Sequence, residues 1–183
     1  MIFRWTYFMK YLFQSDDEDD FMTTESKKIF ADDVVKDVQS TWATINSDLQ
    51  VVGYEIFQRL FTAYPDYQKL FKAFSNVPTS ELKNNPQYSK HAFSVANALN
   101  SSIENLENAD KLVSILTSVG KKHVKRNVTE SHYSNVQVVI LNTIKECLGD
   151  KCNDQIAKSW NEVVSVAVST IKKGAEEEEA KYL

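Results

Sequence analysis

Four glycines and three prolines stand in 183 residues, too few for the many tight turns of a β-sandwich or barrel, and long stretches carry neither. That scarcity points to helices. Two cysteines, Cys147 and Cys152, cannot build a disulfide scaffold, and no histidine or third cysteine stands at zinc-finger spacing from them. Reduced thiols in an intracellular, cytoplasmic protein fit this usage; a small oxidisable loop around Gly149 is the alternative. Methionine occurs only at positions 1, 9 and 22. Charge of neither sign dominates: 21 Lys and Arg against 25 Asp and Glu give a net charge of −4. The acidic runs 16–20 and 176–179 more than account for that excess, so the middle of the chain is nearly neutral and offers no basic field to nucleic acid. A phosphate-cradling glycine loop, a nucleophile elbow and a paired-cysteine metal motif are all missing. What remains is an ordinary soluble composition, 43% hydrophobic and 25% charged, in a chain of one domain's length with tails.

The two ends differ from the body. Residues 1–13, MIFRWTYFMKYLF, hold six aromatics but are interrupted by Arg4 and Lys10, are too short to span a bilayer, and precede no small-residue cleavage site. A mobile extension over residues 1–30 is expected. Trp5, Tyr7 and Tyr11 are types that favour a membrane interface, so weak peripheral association is the alternative. At the other end Lys172-Lys173-Gly174 reads as a helix stop, with cations at the negative helix end and glycine as the cap. Residues 174–183 are then an acidic tail, and the domain is expected over 31–173.

Within that body apolar residues recur at three and four, the spacing of one helix face. Val35, Val38, Trp42 and Ile45 form one stripe; Ile56, Phe57, Leu60 and Phe61 form a second, which ends before Pro65 because the residue preceding proline is pushed from the α region. Tyr67, Leu70, Phe71 and Phe74 suit a short aromatic turn, and residues 75–85 a polar connection. Asn85-Pro86 is a strong helix start. It opens a segment with His91, Val95, Leu99 and Leu106 near one face. Asp110 is expected to cap the next helix, closed by Lys121-Lys122-His123, and Asp154 to precede the last. The β-branched runs VQVVILNTI and VVSVAVSTI favour strand by propensity, but their uninterrupted length decides for helix. Six substantial helices result, in an all-α fold.

With no catalytic motif, the histidines carry the chemistry. His91 falls on an inward stripe and His123 at a helix end; each is either a hydrogen-bonded structural residue or a ligand, and spacing alone leaves both open. His132 lies off the inward stripe and is expected to be exposed. The order of residues nevertheless resembles the globin family over about residues 31–173: Trp42, Phe57, Tyr64-Pro65-Asp66 with Leu70-Phe71, NPQYSKH ending at His91, Val95, GKKH ending at His123, KECLGD, and Trp160. The wording is similar to intracellular invertebrate globins and neuroglobin. The resemblance implies a globin fold of six to eight helices sandwiching haem b, with His123 as proximal iron ligand and His91 as distal residue or second ligand. It further implies that Phe71 wedges against the porphyrin, that Phe57 and Val95 line the distal pocket, and that Val119, Val128 and Tyr133 line the proximal and side walls. Lys122 and Arg126 are within the sequence range for haem propionates, against the plainer reading of a solvated basic helix end. Trp42 and Trp160 are assigned to packing. The implied ligands are O2, CO and NO, for storage, transport or sensing. The alternative class is redox-active: NO dioxygenase, nitrite reductase or peroxidase-like turnover with an external reductase, or electron transfer and signalling.

Overall fold

The three-and-four periodicity becomes six α-helices in the computed structural model, which describes residues 28–124 and 126–182. The expectations for the aromatic segment 1–13 lie outside the described residues. The helices are α1 (Asp32–Trp42), α2 (Leu49–Ala63), α3 (Pro86–Glu104), α4 (Ala109–His123), α5 (Glu130–Leu148) and α6 (Asp154–Glu179). No strand occurs among the described residues. Short 3₁₀ turns, Pro65–Leu70 and Thr79–Asn84, bridge α2 to α3.

Local chemistry sets most of the boundaries. Asp48 accepts hydrogen bonds from the backbone of Gln50 and Val51 to start α2. Asn85 does the same for Gln87 and Tyr88 before Pro86, as read from the sequence. One expected cap and one expected helix start are corrected, by two residues and by one. Asn108, not Asp110, caps α4 through the Lys111 amide, and Asn153 caps α6 through that of Ile156, leaving Asp154 inside the first turn. In each case the residue whose backbone stays extended becomes the cap, while its acidic neighbour turns helical and favours the helix N-terminus electrostatically.

The core runs through all six helices. Trp42 and Trp160 meet with ring centroids 6.0 Å apart, and each indole N–H is spoken for: Trp42 donates to Asn100 (2.8 Å) and Trp160 to the Thr41 hydroxyl (2.9 Å). Ser159 donates to Asp37 at 2.7 Å, tying α6 to α1 a second time. Three sequence expectations change here. Phe30, before the expected domain start, is buried, and so is Leu82 within the supposed polar connection. Gly174 does not stop α6: the helix continues to Glu179, and Gly174 is buried in its interior. A Cβ at Gly174 would stand 2.8 Å from the Cα of Thr117 on α4, so glycine permits a close helix crossing there rather than an ending. Cys147 is exposed, Cys152 is half-buried, and both are free thiols.

Candidate haem site

Two helices carry the histidines, His91 on α3 and His123 at the end of α4. His123 is the last residue of α4, where Lys121 and Lys122 also complement the helix dipole. Its ring Nδ1 lies 2.8 Å from the Val119 carbonyl one turn earlier. Because a carbonyl only accepts, Nδ1 carries a proton, and in the neutral form of the ring Nε2 then keeps its lone pair. The chain then turns through Arg126 and Asn127, the latter at φ +55°, and re-enters helix at Glu130. Asparagine tolerates that left-handed conformation better than most residues. The turn brings the Tyr133 ring to 6.3 Å from that of His123, edge to face.

His91 sits in the second turn of α3, positioned by the Asn85 cap. Its ring packs on Phe57 of α2 at 5.2 Å and on Phe71, just after the first 3₁₀ turn, at 5.0 Å. Phe57, Phe61, Phe71, Phe74 and Tyr88 contact one another behind it, in edge-to-face, tilted and, for Phe71 on Phe74, stacked pairs. Burial among these rings lowers the His91 pKa to about 4, and the charges of His123 and Arg126 add to the shift. The imidazole is therefore neutral at physiological pH. A neutral ring either coordinates a metal or donates its N–H to a ligand.

The remaining sequence candidates fall around these two rings. Val95 and Val119 are half-buried one helical turn from His91 and His123 respectively, and Val128 is half-buried in the corner after α4. Behind His123 a cavity of about 310 Å³ is lined by His123, Val128, Tyr133, Ala175 and charged groups of α6. Lys122 is exposed, as is Arg126. The expectation of an exposed His132 is corrected: it is half-buried, accepts the Thr129 backbone N–H through Nδ1 at 2.9 Å, and packs on the Tyr67 ring at a tilt, with centroids 4.3 Å apart. It is a helix cap, which its distance from the inward stripe concealed. Sequence reasoning also missed the close crossing that positions α3. A Cβ at Gly53 would stand 2.2 Å from the Ala92 carbonyl, so α2 and α3 touch backbone to backbone beside His91. The pairing of a glycine in one helix with an alanine in the other was its only available signal.

These residues fit a porphyrin better than a bare metal ion. Among the described residues no three His, Cys, Asp or Glu side chains gather to hold an ion. Haem brings four of its own nitrogen ligands and needs from the protein an axial imidazole with a free Nε2, apolar walls and a second polar group opposite. His123 has an imidazole tied through Nδ1, the phenylalanine cluster has the apolar surface, and His91 is a neutral imidazole packed on that cluster.

The class defined by this fold and site is that of the all-helical haem-pocket proteins, and sequence comparison specifies it. The globin family profile matches residues 54–171. Cytoglobin-1 of Oryzias latipes is 30% identical over 142 residues, covering 76% of this chain and 80% of that one. A protein of Gossypium hirsutum named as an anaerobic nitrite reductase is 30% identical over 156 residues, covering 82% and 94%. The fold is similar to a hexacoordinated haem protein of an anhydrobiotic tardigrade, with TM-score 0.75, 20% identity and coverage of 80% and 96%. Drosophila melanogaster globin superposes with TM-score 0.74 at 24% identity, covering 79% and 94%. The chain belongs to the globin family. None of the described helices is long and apolar enough to cross a membrane.

Proposed function

We propose that this chain is a haem-b globin that reversibly binds O2, and also CO and NO, with His123 as the proximal iron ligand. The observation that supports the reading is the His123 Nδ1 bond to the Val119 carbonyl, which in the neutral ring holds the tautomer that leaves Nε2 unprotonated, together with a buried, neutral His91 on α3. Bound haem supplies the iron centre at which a diatomic ligand is held. Phe71 and Phe57 keep water from the distal space and hold the His91 ring between them. Val95, Val119, Val128 and Tyr133 form the apolar remainder of the wall, and Lys122 reaches toward the propionates from its exposed helix end. His91 donates a hydrogen bond to a polar ligand, a contact of about 1.5–3 kcal/mol, or about ten- to a hundredfold in affinity. The setting is cytoplasmic oxygen storage, transport or sensing.

Direct coordination of iron by His91 is a second reading, favoured by the likeness to a hexacoordinated haem protein. An external ligand then competes with His91, and its apparent affinity falls in proportion to the fraction of open sites. The relative named as a nitrite reductase favours incidental redox turnover, which here needs an external reductase. Absorption spectra of ferric and ferrous protein test the set. Purified protein is expected to show a haem Soret band that His123→Ala abolishes; undiminished haem affinity in that variant would refute the proximal assignment. Low-spin bands in the ligand-free ferrous form that vanish in His91→Leu would establish coordination by both histidines, and a high-spin ferrous spectrum would reject it. NO consumption that continues for many turnovers with a reducing system would favour an enzyme over a carrier.

A further inference from the structure

The family profile ends at residue 171, yet α6 runs on to Glu179, and this continuation lies against the helix that carries His123. The contact between α4 and α6 is the most extensive between any two elements of the fold. At its centre the two backbones meet through a pair of glycines. A Cβ on Gly120, one turn before His123, would fall 2.1 Å from the Ile171 carbonyl oxygen and 2.8 Å from the Ala175 nitrogen. A Cβ on Gly174 would fall 2.8 Å from both the Cα and the carbonyl oxygen of Thr117. Such distances leave no room for any other residue unless the helices separate. Glycine inside a helix is otherwise unfavourable, so two of them in register across one crossing mark a distance that the fold depends on. Just past this contact the floor changes: Ala175 and Glu176 line the cavity behind His123, so the last turn of α4 rests on the glycine crossing and not on filled core beyond it.

We propose that the crossing of α6 on α4 at Ile171, Gly174 and Ala175 is the positioning element of the proximal imidazole, with Gly120 and Gly174 as its positioning residues; this rests on His123 being the haem ligand. The reasoning is mechanical. The His123 ring is tied to the α4 backbone through Val119, so any displacement of α4 from α6 carries Nε2 with it. Interfaces packed backbone to backbone shift as units when a methyl is forced between them. Neither glycine touches the haem space; each acts through α4.

The test uses the full chain. In Gly120→Ala and Gly174→Ala the iron–histidine stretching band, read by resonance Raman in the five-coordinate species formed on photolysis of the CO complex, is expected to shift. CO affinity is expected to change roughly two- to thirtyfold, the range for residues that act through a helix rather than by contact. Gly120→Ala has the worse overlap and the larger effect. Leu148→Ala, which opens a void at the far end of α5, is expected to lower the melting temperature while leaving the band in place, which separates positioning from stability. Ala175→Leu, which enlarges a residue lining the cavity beside the crossing, is expected to move the band even if Gly120→Ala fails to fold. In the haem-free chain Gly174→Ala is expected to speed amide hydrogen exchange over residues 119–123 more than in α1. Unchanged band, affinity and exchange in folded Gly174→Ala and Ala175→Leu would overturn the proposal while the haem reading stands. Loss of that reading is seen separately, as full haem affinity in His123→Ala.

Discussion

His91 carries its chemistry in what surrounds it. Its pKa of about 4 in the folded, haem-free chain lies below the ordinary 6.5, chiefly through burial and further through the fields of His123 and Arg126. Between those two values the unfolded chain binds the proton and the folded chain does not, so acid favours unfolding. Stability of the haem-free protein is therefore complete above about pH 6.5, declines as the pH falls toward 4, and levels off below that. The loss has an upper bound of about 3 kcal/mol, reduced by the part of the ring that solvent still reaches. Urea midpoints measured across this range should show the decline in the wild type and a flatter profile in His91→Leu; parallel profiles would assign the acid loss to other groups. The tryptophans make a contrasting case. Trp160→Phe removes the hydrogen bond to Thr41 and part of a fully buried ring, an expected cost of about 1–3 kcal/mol by denaturant titration, with no effect on haem redox behaviour. The family resemblance was legible because the motifs at Phe71, His91 and His123 occur as continuous strings. His132 was not, because its role depends on a backbone N–H three residues away and on a tyrosine from a distant turn.

Helix starts show which elements local sequence determines. Asn85-Pro86 was readable because a side-chain acceptor and a fixed proline φ suffice. Asn153-Asp154 offers two adjacent acceptors, and the choice between them follows from where the preceding loop leaves the chain. The geometry predicts that Asn153→Ala destabilises by about 1 kcal/mol, while Asp154→Ala, a first-turn charge, costs a few tenths. Equal losses in thermal or urea unfolding would contradict that division. Helix crossings are harder to foresee, because a glycine's meaning depends on what faces it. Gly174 beside two lysines has the local chemistry of a helix stop, and only the position of Thr117 makes it an interior residue. Gly53 presents the same case beside His91. Gly53→Ala is expected to cost at least about 1–3 kcal/mol, since the obstructing atom is the Ala92 backbone oxygen and neither helix can rearrange a side chain to make space. The same substitution should also alter ligand kinetics, by moving α3 and its imidazole; a variant with lowered stability and wild-type CO rebinding would confine Gly53 to packing.

At the scale of the molecule the six helices share one core, and the rings that surround His91 are part of it. Phe57, Phe61, Phe74 and Tyr88 belong at once to the buried cluster and to the aromatic group behind His91. A ligand held against these rings therefore couples to global stability, because unfolding destroys its site and releases it. At a free haem concentration about a thousand times the dissociation constant, the linkage is worth about 4 kcal/mol. For a chain of this size each kcal/mol moves the melting temperature by roughly 2–4 °C, so haem should raise it by about 8–16 °C. On the proposed assignment the source of that increment is the proximal bond. His123→Ala then removes the axial ligand but leaves the apolar walls intact, so it should lose most of the rise while melting near the wild type in the haem-free state. Calorimetry of both proteins with and without haem reads the two quantities separately. An equal rise in wild type and variant would mean that the walls alone hold the porphyrin, and the chemistry assigned to position 123 would have to move to His91.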